Sequence, residues 1–240
     1  MPVNPEMLLL ADVDTWLPFV IFGGIFGFII LILVVHWHNE KKRQQQMETL
    51  AEDLGLKFHP KGDGTLRARC GHFPLFSRGR AKKVLNMLEG ESGDVRLAIL
   101  DYRFTTGSGR STHTHNQTVM YFQAPDLQVP KFSLQPERFW HKIGQMFGGK
   151  DINFDTHPAF SKKYLLKGSD EERIRELFHE EILNYLEDQP ILNVEGEQDQ
   201  LVFFREGKRV KPDEIRKFMK EGFEIYNLLT GRSDEYADQS

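Results

Sequence analysis

The most unusual local stretch of the chain is Thr105-Thr106-Gly107-Ser108-Gly109-Arg110-Ser111-Thr112-His113-Thr114-His115. Glycines set beside hydroxyls and an arginine can cradle a phosphate through backbone N–H groups. A phosphate loop, however, runs from a strand into a helix and carries a lysine at fixed spacing, whereas this stretch leads to another strand. Read as a polar hairpin tip, long and mobile, it needs no ligand. His113 and His115 point to one side if the strand extends over them, because side chains alternate along a strand. Two imidazoles begin a zinc site but do not complete one. His72, Asp101 and His157 are the remaining candidate ligands and stand at no diagnostic spacing, so neither a metal nor a cofactor is expected. Ser108, Arg110, His113 and His115 are the candidate ligand-binding residues, without a catalytic assignment.

Other reactive groups are weaker. Asp151, Asp155 and His157 resemble an acid–base cluster, and Ser108 or Ser111 a nucleophile, but no GxSxG elbow or HExxH pair accompanies them. Aspartates in irregular segments commonly bond their own backbone in turns and caps. Cys70 lies in Arg69-Cys70-Gly71-His72, where an adjacent basic side chain would favour the thiolate, yet a single cysteine is more often a small packed side chain. It is the only cysteine, so no intrachain disulfide forms and nothing points to an oxidising compartment.

The element that must position all of this is the uncharged run Leu17–Val35. As a helix it is about 28 Å long, close to the hydrocarbon thickness of a bilayer. The run is too long, and lacks the polar face, for a buried helix of a soluble protein. We assign residues 16–37 as one transmembrane helix, with Trp16 and Trp37 at the two headgroup layers. Glu6, Asp12 and Asp14 precede it without a Lys or Arg, while Lys41, Lys42 and Arg43 follow it. The positive flank belongs on the cytoplasmic side, so residues 1–15 form an external tail, too short to fold, and the rest of the chain is cytoplasmic. A cleavable signal would start basic and end at small residues, and this segment does neither. Gly23 and Gly27 form a GxxxG step on which two such helices would approach closely as a homodimer.

The soluble part has about 200 residues, enough for a real core. Residues 38–55 continue as a juxtamembrane helix through Met47, Leu50, Ala51 and Leu54, with Gly55 as the stop. Residues 56–135 read as a β-rich half. Leu56–His59 is a short strand before the Lys61–Gly64 turn, and a strand near Leu85–Leu88 turns at Glu91–Asp94 into Val95–Tyr102, which pairs with Thr118–Phe122. Pro125–Pro136 reads as an extended connection. Residues 136–231 read as a β-α-β-β-α half. A short helix over Glu137–Phe147 presents Phe139, Trp140, Ile143, Met146 and Phe147 to a core or a membrane surface. Tyr164–Leu166 is a strand, and a capping box Ser169–Glu172 opens a helix through Ile174, Phe178, Ile182 and Tyr185. Ile191–Glu195 and Leu201–Arg205 form a hairpin, and a last helix runs from Pro212 to Gly231. Residues 232–240 are a polar tail. The fold class is thus α+β, a mainly antiparallel meander behind one N-terminal span, and whether the halves share one core stays open.

The chain carries a net charge of -4, and after position 40 the basic and acidic residues balance at 31 each. Such neutrality argues against nucleic acid as the main ligand. The distribution is uneven, with eleven Lys and Arg against five acids over Lys57–Arg110 and eleven acids against Arg173 and Arg175 over Asp170–Asp199. A basic half suits an anionic lipid or an acidic partner; equally, the two halves face each other or water. LFSRGRAKKVLNMLEG, DYRFTTGSG with its following QTV, GKDINFDTHPAFSKKYLLKG and GKRVKPDEI resemble a family of uncharacterised bacterial membrane proteins with one N-terminal span and a cytoplasmic α+β domain. The resemblance implies that topology and a bacterial source, and no activity. The expectation is a non-enzymatic, membrane-anchored interaction module for a protein partner or an anionic lipid. The alternative is a membrane-tethered enzyme, a hydrolase using the 105–116 loop.

Overall fold

The computed structural model describes residues 5–62, 64–137 and 151–232, with side chains from Trp16 onward. The expected helix over Glu137–Phe147 and the C-terminal tail therefore lie almost wholly outside the described residues. Two compact units divide the chain between Gln46 and Met47.

The first unit contains most of helix α1 (Pro5–Leu54), which begins inside the segment expected to be an unfolded tail. Within Trp16–Leu54 an 18-residue window reaches a mean hydropathy of 2.8 with none of it buried, so this helix is long and apolar enough to cross a membrane. Trp16 and Trp37 are both exposed, and the Lys41 ammonium lies 5.2 Å from the centre of the Trp37 ring, one turn away.

The second unit is built on one eight-stranded antiparallel sheet with the order β1-β2-β3-β4-β8-β7-β5-β6. The strands are β1 (Lys57–His59), β2 (Arg80–Ser92), β3 (Val95–Thr106), β4 (His113–Gln123), β5 (Val129–Pro136), β6 (Tyr164–Gly168), β7 (Asn193–Gln198) and β8 (Gln200–Phe204). The sheet joins the two expected halves, because β8 pairs with β4 while β5 pairs with β6 and β7. Side-chain alternation then sorts the apolar residues into two layers. Ile99, Met120, Phe122, Leu134, Leu166 and Phe203 lie in one layer, with residues of α4 (Pro158–Lys163), α5 (Glu171–Leu177), α6 (Glu180–Asp188) and α7 (Ile215–Thr230) and with Met47, Leu50 and Ala51. Ala98, Leu100, Tyr102, Phe104, Val119, Tyr121, Val202 and Phe204 lie in the other, under the short helices α2 (Thr65–Arg69) and α3 (Pro74–Ser77). Burial on both faces is why Val95–Tyr102 reads as a nearly continuous apolar run rather than an alternating one.

Three elements differ from the sequence reading. The proline-bearing connection is the internal strand β5, in which a register shift between Val129 and Phe132 accommodates Pro130, and Pro136 takes the last position. The single helix expected after Ser169 is two, α5 and α6, broken at Phe178 and His179. Its N-cap is Asp170, whose carboxylate accepts the Arg173 N–H at 3.1 Å. The β3–β4 ladder runs on to the Thr106–His113 pair, so the loop expected to span 105–116 shrinks to residues 107–112.

Candidate functional site

The hairpin tip is a closed turn. A 3-10 turn over Gly109–Ser111 folds back so that the Thr112 hydroxyl donates to the Gly109 carbonyl at 2.9 Å. Gly107 sits at φ 75, and a Cβ there would run into the Ser111 carbonyl oxygen, so only glycine closes the turn. The Arg80 guanidinium donates to the Gly107 carbonyl from the neighbouring strand. Ser108, Arg110 and His113 are exposed.

His115 is drawn into packing instead. Its ring stacks on Phe104 with centroids 4.6 Å apart and planes at 11°, and Nε2 lies 2.8 Å from the Thr106 hydroxyl. Nδ1 is 3.9 Å from Glu206, which pairs with Arg78 at 3.0 Å, and the Arg78 guanidinium lies over the other ring contact, Phe104, at 5.4 Å. The expected four-residue site thus divides into three solvated side chains and one anchored one.

The suggested helper groups are committed elsewhere. Asp101 is buried. One of its oxygens accepts from Asn86 at 2.9 Å and from Arg209 at 3.1 and 3.0 Å, the other from the Thr118 hydroxyl at 3.2 Å. His72 lies 3.8 Å from Glu197, and His157 contacts Thr156 and Asn184. Asp151 accepts from Asn153 at 3.2 Å, and burial raises its pKa above the usual carboxylate range. Among the described residues no group of three His, Cys, Asp or Glu side chains is placed to hold a metal. Cys70 is buried in the α2–α3 layer, where desolvation pushes its thiol up to about 12 and keeps it protonated.

Next to the tip lies a cleft of about 510 Å³ lined by Arg67, Gly71, Phe76, Ser77, Arg80, Ala81 and Lys82. It forms where β2 bulges between Arg80 and Lys83, with Ala81 in the left-handed region at φ 51. The charge asymmetry of the sequence pointed to this region without selecting these residues. Arg67 arrives from α2, and only the sheet sets it against Lys82.

No family model matches the chain, and no curated protein sequence does. A solved structure shares the fold: the crystal structure of the mycobacterial trehalose monomycolate transport factor A, TtfA, is similar with a TM-score of 0.53 at 10% identity, over 79% of this chain and 93% of that one. At that identity the likeness concerns the fold.

On the far part of the α2–α3 face, Glu195 of β7 is buried beside Ser133 of β5, with Asn193 and Gln135 also buried. Both Glu195 oxygens accept from the Leu75 N–H, at 3.2 and 3.1 Å. Burial pushes this carboxyl up to about 7 against the pull of Arg78 and the Leu75 amide, with Glu206 adding to the rise. Periodicity marked Glu195 only as a strand residue.

Proposed function

We propose that this chain is a single-pass protein of a bacterial inner membrane, with its N-terminus outside and its sheet domain in the cytoplasm, acting without catalysis as an interaction module in the transport of a lipid. The observation that carries this reading is the fully exposed apolar helix ahead of a domain whose fold is shared by a protein named as a trehalose monomycolate transport factor. Lys41, Lys42 and Arg43 on the domain side of the span support the orientation. Gly23 and Gly27 are open, with nothing within 4 Å of an added Cβ, and suit a second copy of the helix. The tethered-hydrolase reading has less support, since the ring of His115 engages Thr106 and Phe104 rather than Ser108 or Ser111. Purification of the full anchored chain from cross-linked membranes tests the proposal. The expected result is a stoichiometric membrane-protein or lipid partner with the metal content of a blank; stoichiometric zinc with hydrolytic activity lost on tip replacement overturns it.

A further inference from the structure

We infer that the cleft between α2 and the β2 bulge binds a phosphate group, carried by a small soluble anion or by a lipid headgroup. This deepens the reading of the domain as a binding module and gives it a ligand class. Arg67, Arg80 and Lys82 converge on one concavity, and each is held by a neutral backbone carbonyl. Arg67 Nη1 donates to the Lys82 carbonyl at 3.3 Å, Lys82 Nζ to the Ser77 carbonyl at 2.8 Å, and Arg80 to the Gly107 carbonyl. Among the described residues no carboxylate pairs with any of the three, and none lines the cleft. Among the other arginines of the domain, Arg78 pairs with Glu206, Arg96 with Glu91, Arg205 with Glu221, Arg209 with Asp101 and Arg232 with Asp126, whereas Arg103 and Arg173 bond the Asn116 side chain and the Gln128 carbonyl; what sets the three apart is that they share one cleft.

The carbonyl contacts orient these cations without neutralising them. Three like charges around a cleft raise its local potential and draw in an anion. Each carbonyl takes only part of a cation's donor capacity, so most N–H groups of both guanidiniums and of the ammonium remain for a ligand. Two forks and a point donor around one centre match the several oxygens of a tetrahedral phosphate better than the two of a carboxylate. The cleft volume is that of a small-molecule site rather than a nucleic-acid groove.

The test uses the full chain in phosphatidylcholine nanodiscs, titrated with inorganic phosphate against chloride at constant ionic strength and read by the unfolding midpoint. A parallel arm compares nanodiscs with and without phosphatidylglycerol by native mass spectrometry of retained lipid. Wild type is expected to gain stability with phosphate or to retain phosphatidylglycerol selectively. The triple variant Arg67→Gln, Arg80→Gln, Lys82→Gln is expected to unfold at the same midpoint without ligand and to bind about tenfold more weakly or worse. A response to phosphate alone assigns a soluble ligand, and a response to phosphatidylglycerol alone a headgroup. A response to both assigns the phosphate group itself. No response in either arm, or a triple variant that binds like wild type, overturns the inference. Should the triple variant itself unfold early, Arg80→Lys, which keeps the charge and loses the fork, is expected to weaken binding without lowering the midpoint; unchanged binding in it overturns the inference. Failure here leaves the anchored-module reading intact, because that reading stands on membrane retention and partner capture.

Discussion

Asp101 accepts from Arg209, Asn86 and Thr118, and the Thr118 hydroxyl accepts in turn from the Val210 N–H at 2.9 Å, so this cluster ties the loop after β8 to the sheet. Removing Arg209 leaves the buried Asp101 carboxylate with its neutral donors Asn86 and Thr118 but without this cation: Arg209→Ala is expected to cost about 3 kcal/mol in chemical denaturation, and Asp101→Asn with Arg209→Ala less than Arg209→Ala alone. Glu195 behaves in the opposite sense. Its folded pKa of about 7 lies above the ordinary 4.5, so the folded state holds the proton more tightly than the unfolded chain. The resulting stability is fully present below about 4.5 and is lost as pH rises through about 7, a difference of roughly 3 kcal/mol. Glu195→Gln is therefore expected to gain on wild type in unfolding free energy as pH rises across that window; parallel pH profiles of the two proteins would refute the assignment. Neither residue was legible from sequence in this role. Asp101 stood out as a metal candidate because its partner Arg209 is remote in the chain, and Glu195 looked like an ordinary strand position because only the α3 helix above it removes the water.

Elements were legible where the local pattern and the tertiary demand agree. Helix α1 to its stop at Gly55, the Gly93–Asp94 hairpin, β6, β7, β8 and α7 all follow from period and turn chemistry. Strand β5 escaped because prolines argue against an internal strand, and a bulge resolves the conflict at Pro130. The break between α5 and α6 escaped because Ile174, Phe178 and Ile182 keep helical spacing across it, and neither Gly nor Pro marks the site. The candidate site was legible in composition and not in geometry: the ladder that fixes His115 depends on cross-strand pairs. This yields a test on the tip itself. Replacing residues 107–112 by Asn-Gly keeps the Thr106–His113 pair and should leave stability within about 1 kcal/mol, because loop closure depends weakly on length. Extending the replacement through His115 removes the stack on Phe104 and the Thr106 contact, and a further loss of about 1 kcal/mol is expected from the melting curve.

For the whole molecule the proposed topology turns on the helix that is long and apolar enough to cross a membrane, and on the side of it to which the domain is assigned. Sheet order was not recoverable from sequence, since β8 returns beside β4 and β5 lies beyond β7, and such non-local pairings leave no local trace. Orientation, by contrast, rests on a physical asymmetry in the chain itself: Lys41, Lys42 and Arg43 on one flank and no Lys or Arg on the other. A reporter should follow Ser240 rather than Leu54, because Met47, Leu50 and Ala51 are buried with the sheet and a cut at Leu54 would expose them. In that intact fusion a cytoplasm-dependent fluorescent reporter is expected to be active and a phosphatase that needs an oxidising periplasm inactive. Changing Lys41, Lys42 and Arg43 to Gln while adding lysines before Trp16 should shift activity toward the phosphatase, since Lys and Arg set orientation and acidic residues contribute little. Phosphatase activity from the unaltered fusion would reverse the assigned topology and put the basic cleft outside, away from cytoplasmic phosphate.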